Sequence, residues 1–262
     1  LKLLQHRGQE SAGILVYDGQ QFKKTINDGL VNEAITPEDL NALNGTTGLG
    51  HVRYSTSGRK KGNGFHSIEH PRQPIIDNDI AVVHNGTIIN YNELADILKN
   101  RRIQVIMGLD SDTQLLTKII GSSDKASIDD RIKEMLGIVE PTYSMIIQHD
   151  DNLYVCRDRT GNRPLYFGNI NQGFITASEG GVLRHLSATN IREVNPGELI
   201  RVSGNQSYSE QLFAQNPQRC IIELVYLASA GRLDEGSTFL FGKDIKEIRR
   251  NSGIALAKEH PA

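Results

Sequence analysis

Cysteine is scarce in this sequence: Cys156 and Cys220 are the only two in 262 residues. Two thiols cannot build a disulfide framework, a four-cysteine zinc site or a cysteine-ligated iron–sulfur cluster within this chain. An excess of charge of either sign is also missing, with 29 Lys and Arg against 31 Asp and Glu and a net charge of −2. That balance removes the bulk electrostatic footprint of a nucleic-acid or anionic-membrane binder, so neither partner is expected. No apolar run approaches the length of a membrane span and no signal peptide is visible, which makes a cytoplasmic location the expectation. There is no initiator Met at Leu1, and the chain stops at Pro261-Ala262 straight after a helical pattern over 243–259. A fragment of a longer polypeptide is therefore expected. Internal repeats and low-complexity stretches are absent. What is present is a 38% hydrophobic content, enough for a sizeable core in one large domain or one domain and part of another.

Strand-rich ends flank a helical middle. Ser11 to Tyr17 is an apolar strand, Asp18-Gly19 a hairpin turn, and 21–26 the return strand. Thr36-Pro37 starts a short helix, with Thr as N-cap and Pro at the first helical position. A strand over 47–54 runs into a loop over 55–64, rich in Gly, Ser, Lys and Arg, for which mobility is expected. A short buried strand, Ile80 to Val83, leads into His84-Asn85-Gly86. Capping-box patterns at Asn90/Glu93, Ser111/Gln114 and Ser127/Asp130 each precede apolar residues at helical spacing. Beyond Pro141 the pattern returns to strands at 143–148, 153–158, 165–168, 174–177 and 198–202. This order departs from strict βαβ alternation and suits antiparallel sheets covered by helices.

Three segments are polar where a plain core is apolar. In Gln5-His6-Arg7-Gly8-Gln9-Glu10-Ser11, a helix C-cap accounts for Arg7 and Gly8 but not for the polar run into a buried strand. In Gly50-His51-Val52-Arg53-Tyr54-Ser55-Thr56, the plain reading is a strand with exposed polar residues. The functional one is a guanidinium at a strand end, able to grip a carboxylate bidentately below a closing loop. In His84-Asn85-Gly86, the plain reading is a tight turn, and the functional one a side-chain amide beside a backbone N–H, two donors for an oxyanion. Asp112, in the first turn of a helix, either matches the helix dipole or accepts a substrate ammonium. His66 and His70 have i, i+4 spacing but sit in a Pro- and Gly-flanked loop, which argues against a metal site. Neither Cys156 nor Cys220 has a helix N-terminus or a neighbouring His to lower its pKa, and both are expected to be inert in catalysis.

Together these segments resemble the glutaminase domain of the class II, N-terminal nucleophile, glutamine amidotransferases, in their amidophosphoribosyltransferase branch. The matching stretches are LQHRGQESAGI (Leu4–Ile14), GHVRYSTSG (Gly50–Gly58), HNG with the strand and helix after it, SDT (Ser111–Thr113), DRTGNRPLYFG (Asp158–Gly168), ASEGG (Ala177–Gly181) and REVNPGE (Arg192–Glu198), in family order. Arg7-Gly8-Gln9, where asparagine synthetases carry Arg-Gly-Pro, favours this branch. The resemblance implies an α+β fold, a four-layer αββα sandwich of two antiparallel sheets. It assigns residues 1–218 to the amidotransferase domain and 219–262 to a connecting strand, from Cys220 to Tyr226, and the start of a truncated phosphoribosyltransferase domain. It implies glutamine as substrate, with Asn85 and Gly86 as the oxyanion hole, Arg53 and Thr56 on the α-carboxylate side, Asp112 on the α-ammonium and Arg7 shaping the site. The family nucleophile is an N-terminal Cys upstream of the first motif. The chain as written is therefore expected to show no turnover. No cofactor is expected in it. Phosphoribosylpyrophosphate as acceptor and Mg²⁺ belong to the phosphoribosyltransferase domain, and a homo-oligomer is expected. The alternatives are a class II amidotransferase with another acceptor, or a catalytically inactive glutaminase-like binding module. The segment from Ala228 to Phe241 departs from the family pattern.

Overall fold

The computed structural model describes residues 1–54, 72–106, 111–230 and 239–260. The chain divides into two compact units, Leu1–Cys156 and Arg157–Ala262.

The first unit begins with a 3₁₀ turn, Lys2–Arg7, followed by β1 (Ser11–Tyr17) and β2 (Phe22–Asp28). The Asp18 carboxylate accepts the N–H groups of Gln20 and Gln21 at 2.9 Å each, closing the hairpin, while Gly19 takes a φ of +94°. Then come α1 (Val31–Ala34), α2 (Pro37–Ala42) and β3 (Thr47–Arg53). Thr36 caps α2 as its sequence dictates, accepting the Asp39 N–H. The strands form an antiparallel sheet in the order β2-β1-β3, with Ser11 opposite both Asp28 and Arg53.

A second antiparallel sheet holds β4 (Ile75–Asp77), β5 (Ile80–Gly86), β6 (Tyr143–His149) and β7 (Asn152–Arg157). Period-two alternation puts the two sheets face to face. Leu15 and Leu49 of the first sheet pack against Ala81 and Val83 of β5. On the outer face of the first sheet, Ala12 and Ile14 pack with Val31, Ala34 and Ile35. On the outer face of the second lie α3 (Tyr91–Asn100), α4 (Asp112–Gly121) and α5 (Ile128–Ile138), with α4 against β4 and β5. Helix, sheet, sheet and helix thus stack in the order expected of an αββα sandwich.

The second unit holds a sheet in the order β10-β8-β9, built from β8 (Tyr166–Ile170), β9 (Gly173–Ala177) and β10 (Thr189–Glu193), with α6 (Gly180–His185) beside it. A hairpin of β11 (Glu198–Ser203) and β12 (Gln206–Gln211) follows. Its interior is tied by a buried Arg157, whose guanidinium donates to the carbonyls of Gly161, Arg163 and Val194 and pairs with Glu193. A short pairing of β13 (Phe239–Leu240) with β14 (Lys243–Asp244) precedes α7 (Ile245–Glu259).

Three local expectations are corrected. Asn90 does not cap α3 with its side chain; it donates to the Ile138 carbonyl at 2.8 Å and accepts the Glu140 N–H at 3.0 Å. His84-Asn85-Gly86 is not a turn but the end of β5. The segment after Cys220 is helical, with a π turn over Glu223–Leu227, not a connecting strand. Buried Glu223 is held there by Arg163 at 3.1 Å, which ties down the helical turn.

Candidate active site

Every described residue of the expected site lies in the first unit. Arg53 closes β3 on the same strand face as His51 and Leu49, the face turned towards the second sheet. The start of the chain fixes its backbone. The Glu10 N–H donates to the Arg53 carbonyl at 3.1 Å. A Cβ on Gly8 would stand 2.5 Å from the Arg53 carbonyl carbon. Gly8 has a φ of −174°, so it is extended and not the left-handed cap of a helix. Its lack of a side chain serves the close approach to Arg53. Arg7, partly buried, ends the 3₁₀ turn immediately before this contact.

On β5, Asn85 shares the face of Ala81 and Val83, again towards the first sheet. His84 points the other way and is buried. Gly86 is required on two grounds: its φ is +156°, and a Cβ would meet the Thr142 carbonyl oxygen at 2.1 Å. Thr87 and Thr142 exchange both backbone hydrogen bonds, at 2.9 and 2.8 Å. Bonded pairs alternate with unbonded pairs in an antiparallel ladder, so Gly86, opposite Tyr143, turns its N–H away from β6 towards the other edge of β5.

Asp112 opens α4. Ser111 caps the helix, accepting the Gln114 N–H while Gln114 returns a bond to the Ser111 N–H, the reciprocal box its sequence predicts. The Asp112 carboxylate accepts the N–H of Thr113 at 2.8 Å and of Ile88 at 3.4 Å, and the His84 imidazole faces it at 3.7 Å. Burial pushes this carboxyl up. The His84 ring and the two backbone donors outweigh it and hold Asp112 below the usual carboxylate range, so it is ionised.

His51 completes the connection. Its side chain bonds to the backbone of His84, and desolvation, with His84 and Arg53 nearby, lowers its pKa to about 4. His84 thus touches both the β3 face that carries Arg53 and the α4 terminus that carries Asp112, and Asn85-Gly86 follows it directly. Sequence reasoning quoted His51 only as part of a motif and gave it no role. Thr56, His66 and His70 lie outside the described residues. Among the described residues no cluster of His, Cys, Asp or Glu is arranged to hold a metal ion. Cys156 is buried, and burial pushes its thiol well up, while Cys220 sits in the second unit.

A family model described as a glutamine amidotransferase domain matches residues 64–185. Along its full length it is similar to amidophosphoribosyltransferases. The enzyme of that name from Methanothermobacter thermautotrophicus is 34% identical over 270 residues, which cover 100% of this chain and 54% of the relative. The solved glutamine phosphoribosylpyrophosphate amidotransferase of Bacillus subtilis, complexed with ADP and GMP, superposes with a TM-score of 0.82 at 29% identity, covering 99% of this chain and 54% of that one. A structure described as the allosteric regulatory enzyme of purine biosynthesis gives a TM-score of 0.85 at 29% identity over 100% of this chain and 54% of its own. The chain spans about half the length of the curated relatives it matches.

Proposed function

We propose that this chain is the glutaminase part of an amidophosphoribosyltransferase, releasing ammonia from glutamine for transfer to phosphoribosylpyrophosphate. The product of that transfer is 5-phosphoribosylamine, on the way to purines. Residues 1–218 act as the amidotransferase domain and 219–262 lead into the phosphoribosyltransferase domain. The observation that carries the reading is the His84 hub. One buried residue links the Arg53 strand to the Asp112 helix and is followed by two donors at a strand end. A free amino acid presents one cation and one anion on the same carbon, and Asp112 and Arg53 match them in sign. The resemblance adds Thr56 to the carboxylate side and Arg7 to the wall of the site.

In this arrangement the glutamine side-chain amide reaches towards β5. A thiolate from the N-terminal Cys of the full-length polypeptide attacks the amide carbon. The carbonyl electrons move onto oxygen, where the Gly86 N–H and the Asn85 side-chain amide stabilise the oxyanion. On collapse the proton that the polypeptide's own α-amino group took from the thiol passes to the departing nitrogen, ammonia leaves and a thioester remains, which water hydrolyses to glutamate. Burial pushes the Cys156 thiol well up and Cys220 lies in the second unit, so neither is assigned the role of nucleophile. Mg²⁺ and phosphoribosylpyrophosphate are assigned to the phosphoribosyltransferase domain, and no step here passes through them.

The test is glutamine binding and turnover. In the full-length protein, Arg53→Ala raises the glutamine KM at least tenfold, because a charge-assisted contact contributes about 1.5–3 kcal/mol. Activity with added ammonia in place of glutamine is unchanged. A glutamine KM unaltered by both Arg53→Ala and Asp112→Asn overturns the assignment.

A further inference from the structure

The edge of β5 on the side away from β6 carries three successive backbone positions: Val82, His84 and Gly86. Val82 is opposite Ile75 of β4, an ordinary strand pairing. At His84 the strand partner has ended, and a side chain replaces it. The Gln73 carboxamide accepts the His84 N–H at 2.5 Å and donates to the His84 carbonyl at 3.0 Å, copying both bonds of a peptide group. Gly86 comes next, and among the described residues the pairing with β4 has ended before it. Gln73 is itself wedged from the other sheet: a Cβ on Gly13 of β1 would stand 2.2 Å from the Gln73 carbonyl oxygen.

We propose that Gln73 is a positioning residue for the oxyanion hole. It ends the pairing of β5 one residue short of the donors and clamps the backbone of His84. The Asn85 amide and the Gly86 N–H are thereby aimed at the developing oxyanion. A full strand at this edge would cover the Gly86 N–H. An unpaired edge would leave the peptide planes around Asn85 free to rock. A carboxamide of two-bond reach does neither. This inference rests on the glutaminase reading above. It adds a residue that acts through the backbone of His84.

The role predicts a particular kinetic signature. Oxyanion contacts are realised in the transition state and not in the ground state, so losing their alignment lowers kcat and leaves KM nearly untouched. Misplacing such a donor by about 1 Å costs up to about 100-fold. The experiment is steady-state glutaminase kinetics on the full-length protein with Gln73→Ala and Gln73→Glu, together with isothermal titration of glutamine. The expected result is a kcat loss of about 10–100-fold for Gln73→Ala, with KM and glutamine affinity within about twofold. Gln73→Glu keeps the acceptor for the His84 N–H and loses the donor, and is expected to fall between wild type and Gln73→Ala. Gly13→Ala, acting through the Gln73 backbone, should lower kcat in the same way.

Unchanged kcat in Gln73→Ala, or a loss confined to KM, overturns the proposal while leaving the glutaminase reading intact. If Gln73→Ala fails to fold, near-isosteric Gln73→Glu decides by the same criteria. No glutamine turnover by the unsubstituted full-length protein overturns the reading and this inference with it.

Discussion

Gly86 is a position where the backbone itself rules out a side chain. Its backbone angle and its approach to Thr142 both exclude a Cβ, and its N–H faces away from β6. Gly86→Ala is expected to lower glutaminase kcat by at least about 100-fold. It should also destabilise the fold by more than about 1 kcal/mol, measured by chemical denaturation. The residues to which electrostatic or donor roles are proposed, Arg53, Asn85, Gly86 and Asp112, are legible in the sequence because each stands in a short polar motif against an apolar background. Gln73 is not. Its importance comes from two backbone atoms of His84, eleven positions away, and Gln-Pro in a loop carries no local sign of them. Gly8 is legible as special but for the wrong reason. The sequence suggests a helix cap, while the structure shows a steric need created by Arg53, far along the chain.

Among the elements, caps divide the legible from the illegible. Ser111 and Ser127 cap α4 and α5 as their local patterns require, since the partners lie three residues away. Asn90 has the same pattern and a different role, because its amide ties α3 to the end of α5 and the following turn. Long-range bonds of that kind leave no periodic trace. Strands with clear alternation and flanking turns, such as β1, β6 and β7, were readable to within a residue or two, but β5 runs three residues past its expected end and the short or polar β4, β10, β12, β13 and β14 left no legible pattern. The stretch after Cys220 was not, because apolar residues over so short a run suit a strand or a helical turn equally. The Ser111 cap bears on the site as well as on stability. Ser111→Ala removes the acceptor for the Gln114 N–H and should cost about 1 kcal/mol in a denaturant titration. Because α4 begins at Asp112, the same variant should weaken glutamine binding in a titration, by less than Asp112→Asn does.

On the scale of the whole molecule, antiparallel sheets covered by helices were legible from the strand–helix–strand order, whereas the four-layer αββα order came from the family resemblance; the first sheet packs on both faces, with Leu15 and Leu49 inward and Ala12 and Ile14 outward. Stability should depend on pH through the packed interior between the sheets. His51 is held neutral in the folded chain, with a pKa near 4 against an ordinary value of 6.5. Between those values the unfolded chain binds the extra proton and the folded chain does not. Stability therefore falls as pH drops from about 6.5 to 4, by up to about 3 kcal/mol from this group. Denaturation midpoints recorded across that interval should fall with acidity, and His51→Gln should flatten the dependence. The burial of Cys156 has a practical outcome. A thiol-specific chromogenic reagent should report one reactive group per native chain, at Cys220, and two once the chain is unfolded. Cys220 then serves as a ready-made attachment point for a fluorophore or spin label, needing no engineered background.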